Sequence, residues 1–426
     1  MISFLRSFLN RGGGWFLLAN VFSKAVFILS PLWLVRVMPF DEFGALEYVK
    51  SVVFILVPFF GAGLHEYVLY KGATLKSERE RKDLFVLLLP VSLAGSSFLF
   101  LILAIIFYFF RESDVAGQSY IALLFYPITQ GLMLIYTNYL RVGENKRAYT
   151  LCICSSALFF MAVTMLSGGD AIIVAMGIAA APLFGVGVTY LINFAVLRYV
   201  EPTLKAALNS KNRSTGKLIQ LGDGLKYGLL VGLGGVVSQL GLLADIVLLG
   251  LITEDPEVVG IYRMLTILPS MILFLPSVMI KSDFVHLARL QEGGVYLYYI
   301  DYIKSFLKAM FFPLLGFVLM SELIIKYVYG VDFNNQVFWA QVILLVACVF
   351  SCISRIPLGG ILYALGHVKV NTLNAFLAVA INISLGAALI PACGLVGAAL
   401  GTFFSVLVTS ALQVVFFRKL LKRDKV

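Results

Sequence analysis

The 426-residue sequence predicts an all-α integral membrane protein, with about twelve transmembrane helices in two six-helix lobes around a central cavity. Three observations predict it. Hydrophobic residues make up 60% of the chain and charged ones 13%, at a mean hydropathy of +0.95. At about 20 apolar residues per crossing, that length holds roughly a dozen crossings and little else. Lysine and arginine gather on alternate loops. A long basic connection then divides the chain near its middle, with related patterns on either side.

Residues 1–14 set Phe4, Leu5, Phe8 and Leu9 against Ser3, Arg6 and Ser7 before three glycines, as in a short interfacial amphipathic helix. The apolar run that follows passes Pro31 to Val37 without a small-residue cleavage site. It reads as a retained first span, not as a signal peptide. The crossings are expected near 15–37, 43–66, 84–110, 117–140, 148–166, 171–197, 227–252, 258–280, 305–325, 337–363, 372–390 and 394–417.

Loop charge gives an orientation. With a cytoplasmic N-terminus, 26 of the 33 Lys and Arg lie on the inner side, in 1–14, 71–83, 141–147, 198–226, 281–308, at Lys369 and in 418–425. Only Arg111 and Lys326 fall outside, whereas Asp41, Glu42, Asp170, Glu254, Asp255 and Glu257 mark acidic outer turns. Such a partition is the positive-inside pattern and puts both termini in the cytoplasm. It also accounts for the net charge of +10 without nucleic acid as a partner.

The connection 198–226 carries six basic residues among Ser, Asn, Thr and Gly, and separates lobes 1–197 and 227–426. "DEFGALEYV" (41–49) resembles "PEVVGIYRM" (256–264), matching Gly44 to Gly260 and Glu47 to Arg263. "LRVGENKRAYT" (140–150) resembles "YALGHVKVNTL" (363–373). An even number of spans per half gives two halves of parallel topology.

Charge inside the spans locates the function. In the hairpin 227–280, the first arm spaces Gly234, Ser238, Gly241 and Asp245 by four, three and four, one polar stripe on a helix. The second arm answers with Arg263, Thr266, Ser270 and Ser277. An ionised side chain at the bilayer centre costs about 2.5–3.5 kcal/mol even on lenient scales, so these stripes face protein or trapped water. Outside the expected crossing 305–325, eight charged residues lie in spans: Lys24, Arg36, Glu47, Lys50, Glu66, Asp245, Arg263 and Arg355. Arg36 and Glu66, near helix ends, can snorkel. Glu47 and Lys50 can neutralise each other at i, i+3, and Asp245 and Arg263 can be counter-ions across the hairpin. Five of the eight are basic, and a cationic interior calls for an anion such as diphosphate, which suits arginine as a bidentate partner.

Catalytic and metal chemistry find no foothold. There is no GxxxxGK[ST] for a P-loop pump and no CxxC, and the five cysteines all sit in apolar segments. GLGG (232–235) and GAALGT (397–402) are helix-packing glycines. No enzyme activity, cofactor or metal is expected. Tyr126, Tyr136 and Tyr139 on the fourth span are aromatic surfaces that could stack on sugars.

Three stretches carry a family resemblance: 43–73 ("FGALEYVKSVVFILVPFFGAGLHEYVLYKGA"), 259–294 ("VGIYRMLTILPSMILFLPSVMIKSDFVHLARLQEGG") and 359–402, with its Gly-x-x-Lys turn and "IPACGLVGAA". The chain resembles the Wzx-type polysaccharide flippases, in the superfamily that includes MATE exporters and peptidoglycan lipid flippases. The resemblance implies a V-shaped pair of lobes with spans 1, 2, 7 and 8 lining the cavity. It implies transfer of undecaprenyl-diphosphate-linked oligosaccharide across the bacterial inner membrane, ahead of polymerisation into O-antigen or a related glycan. Membrane lipids, a polysaccharide polymerase and a chain-length regulator are the implied partners. Lys24, Lys50, Arg263, Arg355 and Arg36 then fall to the diphosphate or acidic sugars, and Asp245 and Glu47 to ion coupling. The competing readings are a MATE-like exporter of small organic cations, which a cationic interior disfavours, and a non-transporting scaffold for polysaccharide assembly.

Overall fold

The computed structural model describes residues 13–75, 77–109, 114–143, 145–192, 214–273, 292–365 and 367–423, together with 276, 277, 280 and 287. The expected interfacial helix at 1–14 and the first part of the 198–226 connection lie almost wholly outside these residues. Every element among the described residues is helical.

Helix α1 (Gly13–Val37) is followed by α2 (Phe40–Ile55). The second span then breaks at Val57–Gly63 before resuming as α3 (Leu64–Thr74). The sequence dictates the break: Pro58 has no N–H to give, and Gly61 and Gly63 turn left-handed at φ 65° and 67°. Ala62 between them is held at φ 55°, a conformation that costs a residue with a Cβ about 1–2 kcal/mol. The Gly61 N–H, left without a helical acceptor, donates to Ser96 Oγ at 2.9 Å.

Next come α4 (Glu78–Phe109), α5 (Asp114–Leu123), α6 (Tyr126–Val142), α7 (Lys146–Leu166) and α8 (Ala171–Ile192). On α4, Phe98, Leu101, Ile105 and Tyr108 are exposed, as a lipid-facing stripe should be. Arg81 closes the other end of the bundle. Its Nε donates to the Leu75 carbonyl at 3.0 Å and its Nη1 to the Val142 carbonyl at 3.1 Å, so one guanidinium caps the C-terminal ends of α3 and α6. Arg81→Ala is expected to cost about 1.5–3 kcal/mol, the range for hydrogen bonds made by a charged group. Thermal unfolding in detergent checks this, and an unchanged midpoint would show the latch to be idle.

Helix α9 (Ser214–Thr253) begins inside the expected connection. Leu218, Leu221 and Leu225 recur at helical spacing there, and the last two pack on the core of the preceding helices. It is followed by α10 (Pro256–Ile272), α11 (Glu292–Leu319), α12 (Asn335–Phe350), a π-helical turn at Ser351–Arg355, α13 (Ile356–Ala364) and α14 (Val368–Arg423). Two of the acidic turns expected on the outer side double as helix caps. Asp170 Oδ1 accepts from the N–H groups of Ile172 and Ile173, and Asp255 Oδ1 from that of Glu257.

Among the described residues nine helices are long and apolar enough to cross a membrane, or ten if the bent pair Gly294–Lys308 and Met310–Leu319 forms one. One of the nine, Lys369–Leu420, has 52 residues. At 1.5 Å per residue that is about 78 Å, far beyond a hydrocarbon core of about 30 Å. It does not run straight: the backbone leaves helical geometry at Gly394 (φ 53°, ψ −124°). Beyond it, Ser405 Oγ donates to the Ala378 carbonyl at 2.7 Å and Asn374 Nδ2 to the Thr409 carbonyl at 3.2 Å. The crossings expected at 372–390 and 394–417 therefore lie antiparallel. The α10 helix ends at Ile272, and half of the expected span beyond it lies outside the described residues.

The chain forms two compact units, Met1–Glu42 with Val52–Val236, and Phe43–Ser51 with Val237–Val426. The first is built on Leu64, Tyr67, Leu88, Ile135, Tyr136 and Cys152, and the second on Ile280, Tyr299, Leu358, Ile361 and Phe417.

Candidate functional site

The second unit holds most of the charge foreseen within the spans. Glu47, fully buried on α2, accepts a hydrogen bond from Lys50 Nζ one turn along and from Arg263 Nε of α10 at 3.0 Å. Lys50 is 13% exposed and Arg263 26%, so one buried carboxylate carries two largely shielded cations. The triad keeps a surplus positive charge. It is placed by a close helix crossing. A Cβ on Gly44 would overlap the Pro256 carbonyl and come within 2.9 Å of the Gly260 nitrogen. The motif 41–49 thus meets its relative 256–264 at their matched glycines, and the matched Glu47 and Arg263 form the ion pair.

Asp245 makes no ion pair with Arg263, whose guanidinium is held by Glu47. It is buried on α9, where its Oδ2 accepts from Tyr262 Oη at 2.8 Å and Thr402 Oγ1 at 3.1 Å, and its Oδ1 from the Ile246 N–H at 2.9 Å. Its side-chain donors are neutral hydroxyls, so the carboxyl can be satisfied in either charge state. Sequence reading missed both donors. Their signal was there: Tyr262 adjoins Arg263 in the repeated motif, and Thr402 closes GAALGT.

Arg355 ends the π-helical turn. A π turn shifts backbone carbonyls off their usual donors. Two of them, on Cys352 and Ile353, accept from Tyr302 Oη at 2.9 Å and Tyr299 Oη at 3.1 Å of α11. Arg355 itself is half-buried, with Nη2 near Gly241 of the α9 stripe: a Cβ there would lie 3.8 Å from it. Among the described residues its guanidinium makes no hydrogen bond and no ion pair.

Lys24 and Arg36 belong to the first unit, both exposed on α1, with Arg36 in its last turn. Glu66, on α3, lies 3.7 Å from His65. The fourth-span tyrosines do not offer faces to a sugar. Tyr126 and Tyr136 are buried, and Tyr139 is stacked on Phe85 with ring centres 4.5 Å apart. Tyr136 and Tyr139 lie where α4 and α6 pack together, and Tyr126 packs on Phe54 and Phe60, so their hydrophobic area is spent on the core. A half-exposed tyrosine stack of this unit is Tyr70 on Tyr227, 5.0 Å apart.

Known proteins agree with this architecture. The lipid II flippase MurJ in its inward closed conformation superposes with a TM-score of 0.72 at 17% identity, covering 94% of this chain and 86% of that one. An inward-facing multidrug resistance MATE family transporter of the MOP superfamily gives 0.69 at 15%, over 95% and 96%. The MATE multidrug transporter DinF-BH in complex with R6G gives 0.65 at 18%, over 94% and 93%. At these identities the likeness is one of fold. No curated protein matches the sequence. The family described as polysaccharide biosynthesis protein matches residues 9–282, more than half of the chain, and takes in the triad, Asp245 and the repeated motif. The protein is a multi-pass membrane protein whose fold is like those of MurJ and the MATE transporters, and it belongs to the polysaccharide biosynthesis protein family.

Proposed function

We propose that the protein flips undecaprenyl-diphosphate-linked oligosaccharide repeat units across the bacterial inner membrane for O-antigen or a related surface polysaccharide. Alternating access by lobes 1–197 and 227–426, with both termini cytoplasmic, is the proposed mechanism. A polymerase and a chain-length regulator would act on the product.

The observation that carries this reading is Arg355. A guanidinium within a span, without a carboxylate among the described residues, is costly unless an anion completes it. Diphosphate, the charged part of such a lipid, matches its planar fork. Lys50 and Arg263 supply further positive charge, with Glu47 holding them in place, and the exposed Lys24 and Arg36 are proposed to help draw the headgroup in. Asp245 is the proposed coupling group, since its hydroxyl donors allow it to gain or lose a proton.

The test is flipping of a lipid-linked oligosaccharide in reconstituted liposomes. Arg355→Ala is expected to weaken headgroup binding about ten- to hundredfold, the equivalent of about 1.5–3 kcal/mol. Protein yield and melting temperature should be unchanged, because no partner among the described residues is lost. Wild-type rates in the variant would remove Arg355 from the site. Wild-type protein that exports a cationic dye and leaves the lipid in place would favour the MATE-like reading instead.

A further inference from the structure

The break in the second span is held rigidly. A Cβ on Gly61 would overlap the Ser92 hydroxyl, one on Gly63 the Gly228 carbonyl, and one on Gly95 would come within 3.0 Å of Ala62. Backbone packed this closely on several sides is a fixed interruption, not a loose hinge. Fixed breaks inside membrane domains present helix ends with unpaired backbone groups, and transporters use them to hold ions.

One side chain beside the break is unsatisfied. His65, in the first turn of α3, is 6% exposed, and its Nδ1 is buried without a hydrogen-bond partner. Its Nε2 lies 3.7 Å from Glu66 Oε1. The Phe60 carbonyl also acts on the ring. In an unbroken helix that carbonyl would accept from the Leu64 N–H, which here donates to Gly61. The break thus leaves the imidazole beside a carboxylate, with the Phe60 carbonyl turned out of α-helical register. Neutral imidazole has one N–H to offer two acceptors, whereas imidazolium has two.

We propose that His65 is a proton-binding site, the imidazolium donating from Nε2 to Glu66 and from Nδ1 to the Phe60 carbonyl. Glu66, 42% exposed, is the route by which the proton arrives from water. Other charged and titratable groups on the packed helices are engaged elsewhere. Arg141 of α6 holds Asn138, whose amide donates to the His65 carbonyl at 2.8 Å. Tyr136 and Tyr139 of α6 pack on Phe85, and Arg81 of α4 caps α3 and α6. Asp223 of α9 acts on Tyr67, and Tyr227 stacks on Tyr70.

Only the use of this proton in transport rests on the function proposed above; its binding does not. The chain has three histidines, so His286→Asn with His367→Asn leaves His65 alone. In lipid nanodiscs, the ring nitrogen signals of that protein should pass from the neutral to the doubly protonated pattern between mildly alkaline and mildly acidic buffer. A ring that stays neutral throughout overturns the proposal. In liposomes without a gradient, His65→Asn should flip lipid-linked oligosaccharide at the wild-type rate, and under an imposed pH gradient it should lose part of the stimulation, the rest remaining with Asp245. Undiminished stimulation overturns the coupling. Wild-type liposomes that flip no such lipid would instead sink the transport reading, with the nitrogen titration still deciding the proton site.

Discussion

Glu47→Gln is expected to destabilise the folded protein by about 3–5 kcal/mol, the usual cost of removing one partner from a buried ion pair. The carboxylate is fully buried and holds both Lys50 and Arg263, so its loss leaves two shielded cations without a counter-charge. Thermal unfolding in detergent should show a large drop, together with loss of monodisperse protein. A companion variant separates structure from function. Replacing Glu47, Lys50 and Arg263 together by Leu, Met and Met removes all the charge at once. Because apolar residues of similar volume often match a buried ion pair in stability, that protein should recover most of the lost melting temperature. It should still fail to flip lipid-linked oligosaccharide. A triple variant with wild-type transport would show that the triad serves the fold alone.

The second large effect concerns Gly44. A side chain there has nowhere to go, since the Pro256 carbonyl carbon would lie 2.5 Å from the added Cβ and the Gly260 nitrogen 2.9 Å. Both obstacles are backbone, which cannot rotate aside as a side chain can. Overpacking commonly costs about 1–3 kcal/mol, and Gly44→Ala should reach the top of that range. Gly44→Val should exceed it by forcing α2 from α10 and parting Arg263 from Glu47. Fluorescence-detected size exclusion of the tagged protein is the measurement. A valine variant eluting like the wild type, with an unchanged melting temperature, would contradict the crossing.

Much of this was legible in the sequence, for identifiable reasons. Apolar runs of span length read the same in one dimension as in three, so the membrane class and most crossings could be placed. The repeat was legible at Gly44 and Gly260 because close backbone approach leaves a residue of one type. The pairing of the charges was not. Asp245 and Arg263 lie 18 residues apart on one hairpin, whereas Glu47 and Arg263 are separated by 216 positions. Proximity in sequence favours the first pair, but the crossing at Gly44 brings the second into contact. His65 stayed hidden for another reason. Its neighbourhood depends on consecutive left-handed residues at 61–63, and Pro58 with two glycines announces a break but not what faces it. Tyr126, Tyr136 and Tyr139 show the reverse error, since aromatic content alone does not tell a sugar platform from a core.

The π-helical turn at Ser351–Arg355 also bears on how this segment tolerates changes in length. A π turn amounts to a one-residue insertion in an α-helix, absorbed locally instead of being passed along the chain. Deleting one residue from 351–354 would let α12 and α13 run on as a single regular helix. The flanking helices would keep their faces, because the extra residue was absorbed within the turn, and the change would fall on the turn itself. Arg355 would leave its place near Gly241, and the hydroxyls of Tyr299 and Tyr302 would lose the carbonyls they now hold. A helix that looks more ideal would have lost its aim, so the irregular register is the means by which this span points its arginine.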